Sequence, residues 1–202
     1  MFPKKGIRRG RMKEIFMKGI VLTVLILIPV STFSDYRQDI PIIDWIAAYN
    51  YPGNSSDIAN ALAVDHAGNV YVTGSSYSVE TNHDYAIIKY DKHGNQLWVE
   101  RYNGPGNSVD VANALTVDHA GNVYVTGYSY GVGASRDYAT IKYNKHGNQL
   151  WIERYDGPGN NSDVARALAV DNTGNVYVTG YSDELGTFSV YTTIKYDMYV
   201  VK

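Results

Sequence analysis

Gly-Asn-Val-Tyr-Val-Thr-Gly stands at residues 68–74 and returns unchanged at 121–127 and 174–180. A heptapeptide that recurs at a constant interval of 53 residues decides the fold before any propensity is weighed. Self-similarity at such a period marks a chain built of stacked units. Working outward, Trp45, Trp98 and Trp151 keep the same interval, as do Gly53, Gly106 and Gly159. Asp57, Asp110 and Asp163 keep it too, and so do Lys89, Lys142 and Lys195. No insertion or deletion breaks the spacing from Asp44 to Asp197.

Each copy divides into short strands separated by turns. In the middle copy, 111–118, 122–129, 137–143 and 149–155 are rich in Val, Ile, Thr and Tyr, residues that fit a pleated, half-buried surface. Asp118-His119-Ala120-Gly121-Asn122 joins the first two strands, and Asn144-Lys145-His146-Gly147-Asn148 the last two. Short polar connectors containing Gly suit antiparallel hairpins. Successive copies are joined by Asn103-Gly104-Pro105-Gly106-Asn107, a further turn cluster.

The side-chain pattern then chooses among all-β architectures. In Ala61-Leu62-Ala63-Val64 both alternating faces are apolar, whereas a sheet with one wet face alternates apolar with polar. Two covered faces suit a blade stacked between two others. Leu97-Trp98-Val99-Glu100-Arg101-Tyr102 carries charge, as an outermost strand should. The expectation is an all-β chain of β-propeller type, with tandem four-stranded antiparallel blades in three repeats (44–96, 97–149 and 150–202) forming an open or partial propeller. A β-solenoid is the runner-up, but its coils are shorter and lack repeated hairpins.

Composition agrees and narrows the function classes. Nineteen Tyr and nineteen Gly favour strands and tight turns. Cysteine is absent, which excludes disulfides, Cys metal sites, Cys nucleophiles and a lipobox anchor. The N-terminus reads separately. Lys4, Lys5, Arg8, Arg9, Arg11, Lys13 and Lys18 precede an apolar run from Ile20 to Val30, then Ser31-Thr32-Phe33-Ser34. That order describes a secretory signal peptide over 1–34, with a signal anchor as the alternative and 35–43 as a linker. Setting 1–34 aside removes seven of 18 basic and one of 20 acidic residues, leaving 11 against 19, a net of −8. An acidic surface repels phosphate backbones, so nucleic acid is excluded as a partner, and a membrane is approached only through an uncleaved leader.

Three motifs carry a resemblance. Trp-x-x-Arg-Tyr-x-Gly-Pro-Gly-Asn, Ala-x-Ala-Val-Asp-x-x-Gly-Asn-Val-Tyr-Val-Thr-Gly and Asp-Tyr-Ala-Thr-Ile-Lys-Tyr resemble the SBBP repeat of seven-bladed β-propeller proteins. The resemblance covers about 44–197 and implies export to the bacterial or archaeal cell surface, with no assigned activity. Three copies are fewer than the roughly four to eight blades of a closed ring. The third copy also departs from the pattern, because Met198-Tyr199-Val200-Val201-Lys202 replaces its last hairpin. The chain opens with a fourth-strand segment around Trp45 that, in a complete ring, would finish the last blade. Self-association, or docking onto further blades, is therefore expected to cover two apolar blade faces.

No catalytic, metal or cofactor residue is assigned. Asp65, Asp118 and Asp171 sit in Asp-x-x-Gly-Asn and read as turn-holding side chains rather than Ca²⁺ ligands, since one carboxylate per loop is too few. Gly74, Gly127 and Gly180 are structural repeat positions, and Trp45, Trp98 and Trp151 are packing residues before they are sugar platforms. His66, His93, His119 and His146 each occupy a hairpin turn, not a converging ligand set. Lys89, Lys142 and Lys195 are expected to pair with an acid on a neighbouring blade. Recognition is sought where the copies differ, in the second-to-third-strand loops, through Tyr77, Glu80, His83, Tyr130, Arg136, Asp183, Glu184 and Phe188. The expected function is a non-enzymatic, exported scaffold binding protein or glycan. A propeller enzyme of lyase or glycosidase type and a truncated remnant of a larger propeller are the alternatives.

Overall fold

Three antiparallel sheets follow one another along the chain in the computed structural model, which describes residues 41–52, 55–133, 135–184 and 188–197. The leader assigned to 1–34 and the altered tail from Met198 lie outside the described residues. The first sheet holds β1 (Asp57–Val64), β2 (Val70–Ser78), β3 (Asn82–Tyr90) and β4 (Gln96–Tyr102) in sequence order. The second holds β5 (Asp110–Val117), β6 (Val123–Tyr130), β7 (Arg136–Tyr143) and β8 (Gln149–Tyr155). The third holds β9 (Asp163–Val170), β10 (Val176–Asp183) and β11 (Ser189–Tyr196). These meanders are blades 1, 2 and 3. The expected all-β architecture of partial-propeller blades is the one found, and among the described residues blade 3 has three strands where blades 1 and 2 have four, in keeping with the altered end of the third copy.

The first hairpin of each blade is closed by an Asp-x-x-Gly-Asn turn. Gly121 sits at φ +81°, a conformation open to glycine at little cost, and its N–H donates to the carbonyl of Asp118 at 3.0 Å. The Asp118 carboxylate holds the same turn from outside. Its Oδ1 accepts the N–H groups of Ala120 and Asn122, and its Oδ2 accepts Asn122 Nδ2 and the Tyr124 hydroxyl. Asp65 and Asp171 accept the corresponding donors in blades 1 and 3. Burial raises the Asp118 pKa, but these hydrogen bonds outweigh it and hold the carboxyl below its usual range.

Blades stack through a repeated notch. A β-bulge between Ala112 and Ala114 pushes the first strand towards Gly127, where an added Cβ would lie 2.0 Å from the Val111 carbonyl oxygen and 2.9 Å from the Tyr85 hydroxyl. Tyr85 reaches this notch from blade 1 and donates to the Ala139 carbonyl at 3.1 Å. One blade on, Tyr138 meets the notch at Gly180 and donates to the Thr192 carbonyl at 3.3 Å. The bulged residues face the other way and also bridge blades: Asn60 Nδ2 donates to the Ala112 carbonyl, and Asn113 Nδ2 to that of Ala165. Around these bonds two apolar layers form. Tyr71, Tyr85 and Ile87 of blade 1 pack with Ala112, Leu115, Val125 and Ile141 of blade 2. Tyr124 and Tyr138 of blade 2 pack with Ala165, Val176 and Val178 of blade 3.

The segment around Trp45, expected to finish a last blade only in a complete ring, has no ladder partner within this chain. The edge of β3 carries its own β4 through Tyr85↔Tyr102 to Tyr90↔Gln96, and the outer edge of β11 carries no strand among the described residues. The notch and the turn glycine make separable claims. Gly127→Ala should cost about 3 kcal/mol, the upper end of overpacking against rigid neighbours. Gly174→Ala, where nothing lies within 4 Å of the new Cβ, should cost only about 1 kcal/mol of backbone strain. Urea unfolding of the two variants measures the difference, and equal losses would remove the notch from the argument.

Candidate functional site

One rim of the blades gathers the loops in which the copies diverge. Tyr77 N–H donates to the Ser56 carbonyl, Gly106 N–H to that of Tyr130, and Asp183 N–H to that of Ser162. Each bond ties a second-to-third-strand loop to the connection entering its blade. Both loop sets therefore share a face, and side chains that vary between copies are presented from a fixed frame.

Between the second-to-third-strand loop of blade 2 and the connection entering blade 3 the rim forms a shallow cleft of about 380 Å³ lined by Tyr130, Gly133, Ser135, Arg136, Asn160 and Ser162. The Arg136 guanidinium lies 4.9 Å from the Tyr128 ring centroid and 5.7 Å from that of Tyr130. Its Nε donates to the Tyr130 hydroxyl at 3.2 Å, and Ser135 Oγ donates to Asn160 Oδ1 at 3.0 Å. Alongside, Arg166 stacks over Tyr181 at 5.7 Å. The combination offers aromatic faces and amide, hydroxyl and guanidinium groups on one ledge.

The remaining loop residues are distributed around it. Tyr77 and His83 pack edge to face at 5.4 Å, and Glu80 N–H donates to Ser78 Oγ. Asp183 accepts from Ser189 Oγ, and Phe188 is exposed. Glu184 follows at the end of β10. Tyr130 and Arg136 thus line one cleft, while the other six sit on the loops of blades 1 and 3.

Beneath this rim lie ion pairs that the motif reading passed over. Arg154 Nη2 donates to Asp137 Oδ2 at 2.6 Å, and its Nη1 donates to Ser129 Oγ and to the Tyr102 hydroxyl of the preceding blade. Arg101 repeats the arrangement with Asp84 and Ser76. The signal was available, since Asp84/Asp137 and Arg101/Arg154 both keep the 53-residue interval.

Carboxylate oxygens of Asp137, Asp156 and Asp163 lie within 4.8 Å of one another. Two of the three groups are already engaged: Asp137 holds Arg154, and Asp163 Oδ2 accepts the Gly157 N–H at 2.7 Å. Asp156 stands where the earlier copies have Asn50 and Asn103. Burial, then the charges of Asp137 and Asp163, push its pKa up despite Arg154.

The other candidates resolve into packing. His66, His93, His119 and His146 are all exposed, although the His66 and His119 rings approach to 5.1 Å across blades 1 and 2. Lys89 does not find the expected acid on the next blade. Its Nζ donates to the Lys145 carbonyl and lies 5.0 Å from the Tyr71 ring centroid. A blade-top carbonyl is what that height offers, and the Asp118 carboxylate is consumed by its own turn. Lys142 sits over Tyr124, and Lys195 pairs with Asp197 of its own blade. The Trp98 ring lies over the Gly147 turn of the next blade and donates from Nε1 to the Lys145 carbonyl.

The β-propeller repeat signature matches this chain at 51–79, 97–133 and 154–186, one stretch per blade. The chain belongs to the SBBP β-propeller repeat family. It is also similar to an uncharacterized WD repeat-containing protein of Acanthamoeba polyphaga mimivirus, at 29% identity over 46% of this chain. The match spans 8% of that protein's length. Both findings support a propeller scaffold.

A carboxylate whose folded pKa lies above its ordinary value binds its proton more tightly folded than unfolded, so its ionisation lowers stability as pH rises. Asp156→Asn, the residue the other copies carry, should therefore raise the melting temperature at pH 7. The gain should vanish near pH 3, below the ordinary Asp pKa of about 3.9. A thermal-unfolding series across that range checks the sign, and destabilisation at pH 7 would mean that the Asp156 charge is used.

Proposed function

We propose that the chain is an exported, non-enzymatic scaffold whose loop rim binds a glycan at the cell surface. The observation that carries this reading is the ledge on blade 2, where Arg136 stacks on Tyr128 and Tyr130 beside Asn160, Ser135 and Ser162. Sugars present apolar ring faces and a fringe of hydroxyls. Half-buried aromatic faces receive the first, and amide, hydroxyl and guanidinium groups receive the second. A ledge held by a rigid blade loses little entropy on binding. The acidic balance of the chain beyond the leader favours a neutral sugar over a polyanion.

The leader-like run over 1–34 supports export, as does the secreted character the repeat resemblance implies. A protein ligand would use the same loops but should also engage exposed apolar side chains such as Val132 and Phe188. A glycosidase of the common type would need two carboxylates in contrasting environments around the scissile bond. In the acidic trio, Asp137 and Asp163 are instead tied to Arg154 and to a backbone N–H.

Screening the purified chain against neutral and acidic oligosaccharides tests the reading. Binding is expected for neutral sugars, with at least about a tenfold loss on Arg136→Ala or Tyr130→Ala, as for other anchoring side chains. Retained binding in both variants, or binding of a protein ligand with no sugar bound, overturns it. Export is read separately: the protein recovered outside the cytosol should begin after Ser34, and an intact Met1 terminus in the cytosol contradicts it.

A further inference from the structure

Two features at opposite ends of the blade stack are each missing the partner that the other supplies. At the blade 3 end, Tyr191 occupies the position of Tyr85 and Tyr138. Those two are fully buried with their hydroxyls in a Gly notch of the next blade, whereas Tyr191 is 96% exposed. At the blade 1 end, the notch residue is Gly74, and beside it lies a cavity of about 320 Å³ lined by Val72, Thr73, Ala86, Ile88 and Tyr90. The Ala86 carbonyl accepts Thr73 Oγ1. Its counterparts, Ala139 and Thr192, accept the equivalent Thr and also the Tyr hydroxyl arriving from the preceding blade. Leu62 on the same face is 66% exposed, against 9% for Leu115 in the covered blade.

Residues 43–49 add a second, independent sign. Trp45 lies over the Gly94 turn, as Trp98 lies over Gly147, and the Tyr49 phenol interacts with Arg101 at the position from which Tyr102 accepts from Arg154. The segment thus occupies, on blade 1, the place of a preceding blade's fourth strand. Its side chains alternate: Trp45, Ala47 and Tyr49 are half-buried, while Asp44, Ile46 and Ala48 are exposed. That is the period of a strand, in a segment with no hydrogen-bonded ladder. Its edge is open, and so is the outer edge of β11 among the described residues.

The two edges also match in chemistry. Blades 1 and 2 each pair an Asp on the third strand with an Arg on the fourth, Asp84 with Arg101 and Asp137 with Arg154. At the corresponding positions β11 has Val190 and the opening segment has Ala48. Both halves of the ion pair are apolar together, so joining them leaves neither charge buried without its partner.

We propose that two copies of this chain close head to tail into a six-bladed ring, residues 43–49 of each copy adding as the fourth strand to β11 of the other. The register follows from β3 and β4, where Tyr85↔Tyr102 and Lys89↔Trp98 are paired. It sets Tyr191 against Tyr49, Thr193 against Ala47 and Lys195 against Trp45. Tyr191 of each copy enters the cavity beside Gly74 of the other and donates to its Ala86 carbonyl. Arg166, standing where Asn60 and Asn113 bridge blades, reaches the Ala59 carbonyl. Both joints repeat the contact between blades 1 and 2, and a head-to-tail contact that closes after two copies leaves no apolar end face.

The test uses light scattering and covalent trapping on the full chain. The wild type is expected at the mass of two chains. Tyr191→Ala, at a side chain exposed in one copy, should raise the dimer dissociation constant at least about tenfold without changing the circular dichroism. Ala48→Arg or Val190→Asp alone should weaken the dimer, and the two together should restore it, since they rebuild the Arg–Asp pair across the joint. Because the chain has no cysteine, mixing an Ala47→Cys chain with a Thr193→Cys chain under oxidising conditions should give a disulfide-linked heterodimer. A monomer at every concentration, a mass of three or more chains, a Tyr191→Ala variant that dimerises normally, or no heterodimer trapping overturns the proposal.

Discussion

Both joints between blades depend on a tyrosine hydroxyl seated in a glycine notch of the next blade. The bulge in the first strand and the missing Cβ at Gly127 or Gly180 open a space the width of one phenol oxygen, and Tyr85 or Tyr138 fills it. The geometry is unforgiving in both directions. A side chain at the glycine strikes backbone, and a missing phenol empties the notch and removes one of two side-chain donors to the Ala139 or Thr192 carbonyl. Burial of the aromatic ring supplies most of the free energy, about 1.5–3 kcal/mol for a large apolar side chain. The single hydrogen bond fixes where the ring must go. Because the same contact recurs at each joint, stability is a sum of nearly identical interfaces, and an unfilled notch at one end implies an unspent tyrosine at the other.

Around this contact the polar groups divide their work by height. Turn carboxylates such as Asp118 are consumed by their own hairpins at one rim. Charged pairs such as Asp137 with Arg154 lie under the loop rim, where Arg154 also reaches Tyr102 of the preceding blade. Between the rims apolar and aromatic side chains pack across the joints, with one Asn bridge at each, Asn60 and Asn113. The loops at the pair-bearing rim are therefore held by ion pairs from below, which leaves Tyr130, Arg136 and their neighbours free to vary without loosening the blade. The Asp156 carboxyl is the exception, a charge added to a corner that already holds two carboxylates.

Much of the architecture was legible in the sequence because the 53-residue interval exposes the unit and its turn glycines together. Strand limits for blade 2 fall within one residue of those expected, from Asp110–Val117 to Gln149–Tyr155. What the sequence hid depends on partners in space. The role of Gly127 is invisible until Tyr85 is seen to arrive from another sheet. Lys89 looked like half of an ion pair, but the height of its ammonium group places it at a backbone carbonyl. The Trp45 segment carries a strand's alternation, but whether it becomes one depends on an edge that this chain alone does not bring to it. The candidate loops were located by their divergence, whereas the ledge of Tyr128, Tyr130 and Arg136 appears only when two loops and a connection are brought to one rim.

Hydroxyl-radical footprinting of the tyrosines, read by mass spectrometry at low and high protein concentration, tests the notch account most directly. Tyr85 and Tyr138 should stay protected at both concentrations, while Tyr191 is labelled in dilute protein and shielded in concentrated protein. Labelling of Tyr85 as fast as Tyr191, or labelling of Tyr191 that ignores concentration, would contradict it.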